Sequence, residues 1–180
     1  VSNFLRGILD ASQTIFLPTV TTLAAKKQMN TVRMVVKKAT VMNASISLCM
    51  IVLLFAFTNE ILTLWLRGRE PGESFILMKI LLLSVVPCGM FDVWVPILAG
   101  LKHLRGMSLA MPIIGACAIL LALGLMFSNI VSPPMAITLA ILAAFWTRSG
   151  IWLPTYGTKK LDMPRWDYLR SSILLPVIAA

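Results

Sequence analysis

The feature that most limits this chain is a succession of long apolar runs separated by short gaps that hold nearly all of its charge. The stretch 39–57, centred on Cys49-Met50-Ile51-Val52-Leu53-Leu54-Phe55, contains no charged residue. A helix needs about 20 predominantly apolar residues to cross the hydrocarbon core of a bilayer. Runs of this kind recur at 4–25, 39–57, 75–101, 107–127 and 135–156. A further run begins at Ser171 and stops at Ala180, after ten residues. An open strand cannot cross lipid, and no alternating pattern suggests a barrel. The expectation is an all-α, polytopic transmembrane bundle of five full spans and a truncated sixth, forming one domain over 1–180.

Composition agrees. The chain is 58% apolar and 13% charged, against about 25% charged in an ordinary soluble domain. A soluble protein of 180 residues cannot hide that much apolar surface. Intrinsic disorder, a disulfide scaffold and a soluble enzyme are excluded on this ground. The net charge of +9 would suggest nucleic acid in a soluble protein. Here the basic residues sit in the loops, so no nucleic-acid partner is expected. Five Lys/Arg lie in the gap 26–38, two at Lys102 and Arg105, and four between Lys159 and Arg170. The intervening gaps hold only Arg67 and Arg69. By the positive-inside rule the three basic gaps are cytoplasmic, which places residue 1 outside. Val1-Ser2-Asn3 has no initiator Met, and no signal-peptide pattern follows. The sequence therefore reads as a piece of a longer protein.

Charges inside spans are expensive and are functional candidates by default. In the first span Asn3, Arg6, Asp10, Gln13, Thr14 and Thr21 share one polar stripe. Such a helix lines a water-filled cavity or packs on protein outside this piece. Asp92 lies ten residues before Lys102, and Arg148 eleven before Lys159. Both therefore sit roughly 15 Å above the cytoplasmic charges. Matched depth and opposite sign make an Asp92–Arg148 pair one expectation. The other has Arg148 snorkelling alone and Asp92 protonated or hydrated. Lys79 is expected to anchor at the outer interface. The amphipathic stretch Glu60–Leu66 is expected at the membrane surface.

The motifs of common enzymes are missing. There is no P-loop, no H-E-x-x-H, no G-x-S-x-G and no dinucleotide fingerprint. Cys49, Cys88 and Cys117 each stand alone in an apolar run, and His103 sits in a basic turn. Neither a metal nor a cofactor is expected, no residue is a catalytic candidate, and transport fits better than an enzyme.

The order of features resembles a known family. The first span ends in Phe16-Leu17-Pro18-Thr19-Val20-Thr21-Thr22-Leu23-Ala24-Ala25, followed by a basic stretch. The second closes in Asn59-Glu60-Ile61-Leu62-Thr63-Leu64-Trp65-Leu66-Arg67-Gly68, and the third in Ile97-Leu98-Ala99-Gly100-Leu101-Lys102-His103-Leu104-Arg105. Pro154 and Lys159-Lys160-Leu161 add weaker support. Together these resemble the polysaccharide and O-antigen flippases of the multidrug/oligosaccharidyl-lipid/polysaccharide exporter superfamily. The family usually has Gly directly after Trp-Leu, where Arg67 intervenes here.

The resemblance implies one lobe, most of the C-terminal one, of a two-lobe transporter in a prokaryotic plasma or inner membrane. It implies alternating access, with a lipid-linked oligosaccharide passing from the cytoplasmic to the outer leaflet in polysaccharide or lipopolysaccharide assembly. Arg6, Asp10, Gln13 and Arg148 become substrate-cavity candidates, the two arginines for phosphate or acidic sugar. The implied partners are the lipid-linked oligosaccharide, membrane lipids, the missing N-terminal lobe, and candidate polymerase or ligase machinery. The alternatives are a cation-coupled multidrug exporter of the same superfamily, a membrane-embedded glycan-assembly enzyme, and a structural membrane subunit.

Overall fold

A computed structural model describes residues 16–66, 72–129 and 131–170. Arg6, Asp10 and Gln13 lie outside the described residues, as does the run from Ser171. Among the described residues the protein is all-helical. The elements are α1 (Phe16–Ala25), α2 (Met29–Ala56), α3 (Thr58–Trp65), α4 (Glu73–Phe91), α5 (Trp94–Gly100), α6 (Leu104–Phe127) and α7 (Pro133–Phe145). A π-helical segment, Trp146–Trp152, joins α7 to α8 (Leu153–Lys160), and α9 (Arg165–Leu169) follows. Among the described residues four helices are long and apolar enough to cross a membrane: Met29–Ala56, Glu73–Gly100, Arg105–Phe127 and Pro133–Lys160.

The helix containing the expected 39–57 span begins ten residues earlier, inside the basic gap. The reason is its buried stripe. Val32, Val36, Ala39, Thr40, Asn43, Ala44, Ser47 and Ile51 recur at helical spacing and continue past the charges. Its 28 residues span about 42 Å, more than the roughly 30 Å hydrocarbon core. The turns carrying Arg33, Lys37 and Lys38 thus have room to stand clear of lipid. Arg33 Nε also donates to the Leu161 carbonyl, at 2.8 Å.

The expected span 75–101 is broken at Asp92-Val93. Pro96 has no N–H to give the Asp92 carbonyl four residues back. The Val95 amide takes that carbonyl instead, at 2.9 Å, which tightens the turn and ends α4. Pro87 frees the Leu83 carbonyl in the same way. Trp146 Nε1 reaches across from the π segment and donates to it, at 3.3 Å.

α4 packs between α2 and α7, α6 packs on α7, and α1 packs on α5. The principal core lies at the end of the bundle that carries the basic gaps. There Val32, Val36, Trp94, Ile97, Leu98, Leu153 and Tyr168 are fully buried. Tyr168 ties this core together. Its hydroxyl accepts from Trp94 Nε1 at 2.9 Å and shares a 2.9 Å hydrogen bond with Thr40 Oγ1. Gly157 lies flat against the Trp94 indole, where a Cβ would overlap the ring.

Three helices at this end stop on a left-handed residue that is not glycine: Lys27, Lys102 and Asp162. Behind them the amides of Gln28, His103 and Met163 reach back to the carbonyls of Leu23, Leu98 and Thr158, at 3.1, 2.9 and 3.0 Å. This is the Schellman turn, which satisfies carbonyls the helix end would otherwise orphan.

Candidate functional site

Two backbone irregularities face each other midway along the bundle: the break after α4 and the π segment after α7. In the π segment the Leu153 amide bonds to the Arg148 carbonyl, five residues back. Pro154, in the first turn of the next helix, has no amide for the Gly150 carbonyl. A π turn inside a helix is uncommon and recurs at functional sites.

The two irregularities bring together the charges singled out by sequence depth. Arg148 Nη2 lies 3.9 Å from Asp92 Oδ1. Ser149 Oγ donates to the same carboxylate oxygen at 2.8 Å. Cys88 Sγ is 3.7 Å from Ser149 Oγ, one turn before Asp92 on α4. Ser149 is buried, while the Asp92 and Arg148 side chains remain 17% and 19% exposed. The ion pair is longer than a good hydrogen bond. Arg148 Nε is buried without a hydrogen-bond partner among the described residues. A guanidinium carries five N–H donors and no acceptor. This one has donor capacity to spare, in surroundings where an unpaired charge is costly.

The arrangement suits an acceptor-rich anion. Phosphate and carboxylate match the planar fork of arginine and take two of its donors at once. Asp92 and Ser149 then hold Arg148 in place when no anion is present. The chemistry on offer is binding and release, with no proton or group transfer required.

The other residues read from sequence fall elsewhere. Lys79 Nζ lies over two rings, 4.1 Å from the Phe75 centroid and 4.8 Å from that of Phe55. These cation–π contacts hold it at the opposite end of α4 from Asp92. The amphipathic stretch forms α3, with Leu62 turned inward and Trp65 77% exposed. Cys49 and Cys117 are exposed and Cys88 is buried; all three are free thiols. Among the described residues no group of His, Cys, Asp and Glu is placed to hold a metal ion.

Three participants escape sequence reasoning: Ser149, Trp146 and Tyr168. Ser149 is neutral and draws no attention beside Arg148. Trp146 matters only because Pro87 frees a carbonyl on another helix. Tyr168 lies outside the spanning segments, and burial pushes its phenol up to about 12 against the pull of its Thr40 and Trp94 hydrogen bonds. Compared with protein-family models, curated proteins and solved structures, the chain gives no match in any.

Proposed function

We propose that this chain is part of a membrane transporter that carries a lipid-linked oligosaccharide from the cytoplasmic to the outer leaflet by alternating access. The observation that carries the reading is the Arg148 guanidinium. It sits at mid-depth between two broken helices, with a buried Nε unpartnered among the described residues and a loose carboxylate partner. A diphosphate linking lipid to sugar would engage those donors bidentately and displace Asp92. Asp92 would recover its partner when the substrate leaves, and a closed resting pair would keep other anions out. The resemblance of the sequence to polysaccharide flippases points to the same cargo. The basic gaps, taken as cytoplasmic, would draw an anionic precursor toward the entry side.

A second reading follows from Asp92. A carboxylate at a helix break, steadied by a serine, also suits a cation-coupled exporter. Arg148 at 3.9 Å disfavours a resident cation, so this reading stands second.

The test uses the source organism with the full-length gene deleted. Lipid-linked oligosaccharide and surface polysaccharide are quantified, with complementation by wild type, Arg148→Ala, Arg148→Lys and Asp92→Asn. Deletion is expected to accumulate the intermediate and deplete surface glycan. Arg148→Ala is expected to restore under a tenth of wild-type export, about 10-fold being the loss of a single charged anchor. Arg148→Lys keeps the charge and loses the fork, so it is expected to fall between. Unchanged glycan in the deletion strain would refute the reading. Drug sensitivity in that strain would favour the exporter.

A further inference from the structure

Where the π segment meets α8 and α9, the bundle carries a groove of about 210 Å³. Its walls include Ile151, Pro154, Thr155 and Thr158, its floor includes Tyr168, and Arg165 stands among its lining residues. Three observations bear on what fills it.

The first is depth. Ile151 is eight residues before Lys159, or about 12 Å along the helix. The groove therefore runs from the charged end of the bundle well into the span. Its inner end opens outward, since Ile151 is 64% exposed. The second is the lip. Arg165 is exposed and makes no hydrogen bond or ion pair among the described residues. Lys159, Lys160 and Arg170 stand in the same segment against Asp162 and Asp167, leaving an excess of positive charge. The third is Trp166, next to Arg165 and 73% exposed. An indole in that position is characteristic of the headgroup level.

Two of the three hydroxyls that line the interior are already engaged. Thr158 Oγ1 is spent on the Pro154 carbonyl at 2.7 Å, and the Tyr168 hydroxyl on Thr40 and Trp94. What remains is a mainly apolar slot, with the Thr155 hydroxyl in its wall and one unspent guanidinium at the charged end. Basic pockets between helices at the cytoplasmic side are the usual way proteins retain anionic lipids.

We propose that this groove is a binding site for one anionic phospholipid, its phosphate on Arg165 and part of one acyl chain against Ile151, Pro154 and Thr155. The site is separate from the Asp92–Arg148 pair and does not depend on what the protein transports. Because the groove borders the π segment, a lipid lying in it packs against the backbone that carries Arg148.

The experiment is native mass spectrometry of the full-length protein, released from detergent after equilibration with equimolar phosphatidylglycerol and phosphatidylcholine of identical acyl chains. Wild type is expected to retain one phosphatidylglycerol in preference to phosphatidylcholine. Arg165→Gln is expected to reduce that preference about fivefold, from the roughly 1 kcal/mol that one basic residue contributes near a membrane surface. Its side chain is exposed, so folding is not at stake. Thr155→Trp, which fills the slot, is expected to lower retention of both lipids. The proposal is overturned if wild type shows no preference, or if both variants keep it. It is equally overturned if inorganic phosphate competes as well as the lipid does, which would make the site one for a free anion. Retention is read without transport, so the outcome is independent of the proposed function.

Discussion

Two polar clusters lie in this bundle, and they are built to opposite rules. At the basic end, Thr40, Trp94 and Tyr168 are neutral and fully buried, and they meet at hydrogen bonds of 2.9 Å. Midway along, Asp92 and Arg148 carry charge and remain partly exposed beside the buried Ser149, with a 3.9 Å ion pair and an Nε unpartnered among the described residues. A fully satisfied neutral network rigidifies a core, whereas a half-satisfied charged one stands ready to rearrange. The first fastens α2, α5 and α9 together. The second can change partners without loosening the first.

The largest effect is expected at Gly157. Gly157→Ala pushes a methyl into the Trp94 indole and should cost about 3 kcal/mol or more, from overpacking with no room to relax. Thermal unfolding in detergent reads it. A variant as stable as wild type would mean the knot at the basic end is looser than its geometry.

Tyr168→Phe comes next. It leaves Trp94 Nε1 without its acceptor and should cost about 1–3 kcal/mol. The same hydroxyl gives the knot an alkaline limit. The unfolded phenol ionises near 10 and the folded one near 12. Between those values the folded state holds the extra proton, so stability falls as pH rises. Its contribution is complete below pH 10 and gone above about 12, on the order of 2–3 kcal/mol in all. A melting series from pH 9 to 12 should show the decline in wild type and a shallower one in Tyr168→Phe.

At the charged cluster the prediction reverses. Asp92→Asn combined with Arg148→Gln should change stability by less than about 1 kcal/mol, because replacing both members of a half-buried pair removes its desolvation cost along with its attraction. Each single variant should lose more than the double, by a coupling of about 1 kcal/mol. Additive losses would show that the two side chains act independently. A double variant as damaged as Tyr168→Phe would erase the contrast between the clusters.

The smallest effect is a gain. Lys102 ends α5 at φ 60, a conformation that costs a side chain about 1 kcal/mol or more and costs glycine nothing. Lys102→Gly should therefore stabilise by roughly 0.5–1 kcal/mol in the same melts.

These contrasts mark where sequence reasoning reaches. Helices long enough to span were legible because the bilayer fixes their length and polarity. Asp92 and Arg148 stood out because charge is rare at that depth, and counting back from Lys102 and Lys159 put them at one level. Local chemistry misled in the gap 26–38. Its five basic residues read as a loop, yet the apolar stripe through Val32 and Val36 keeps α2 helical. The knot was hidden for another reason: Tyr168 lies 128 residues from Thr40 and 74 from Trp94. No local pattern announces a partner at that range. The break at Asp92 was half legible, since Pro96 predicts a kink but not which amide takes the freed carbonyl. The polar stripe of Arg6, Asp10 and Gln13 lies outside the described residues.

α6 carries a consequence of another kind. None of its most apolar window is buried among the described residues, and Leu109, Ile113, Ile119, Leu120 and Phe127 are all well exposed. If that face meets fluid hydrocarbon, α6 is selected for what its residues are made of, not for their individual shapes. Over evolutionary time Leu, Ile, Val and Phe should exchange almost freely along it. Gly106 is the exception, because a Cβ there would come within 2.6 Å of the Tyr156 ring. Drift along α6 should therefore be fast and apolar, hinged on one residue that stays fixed.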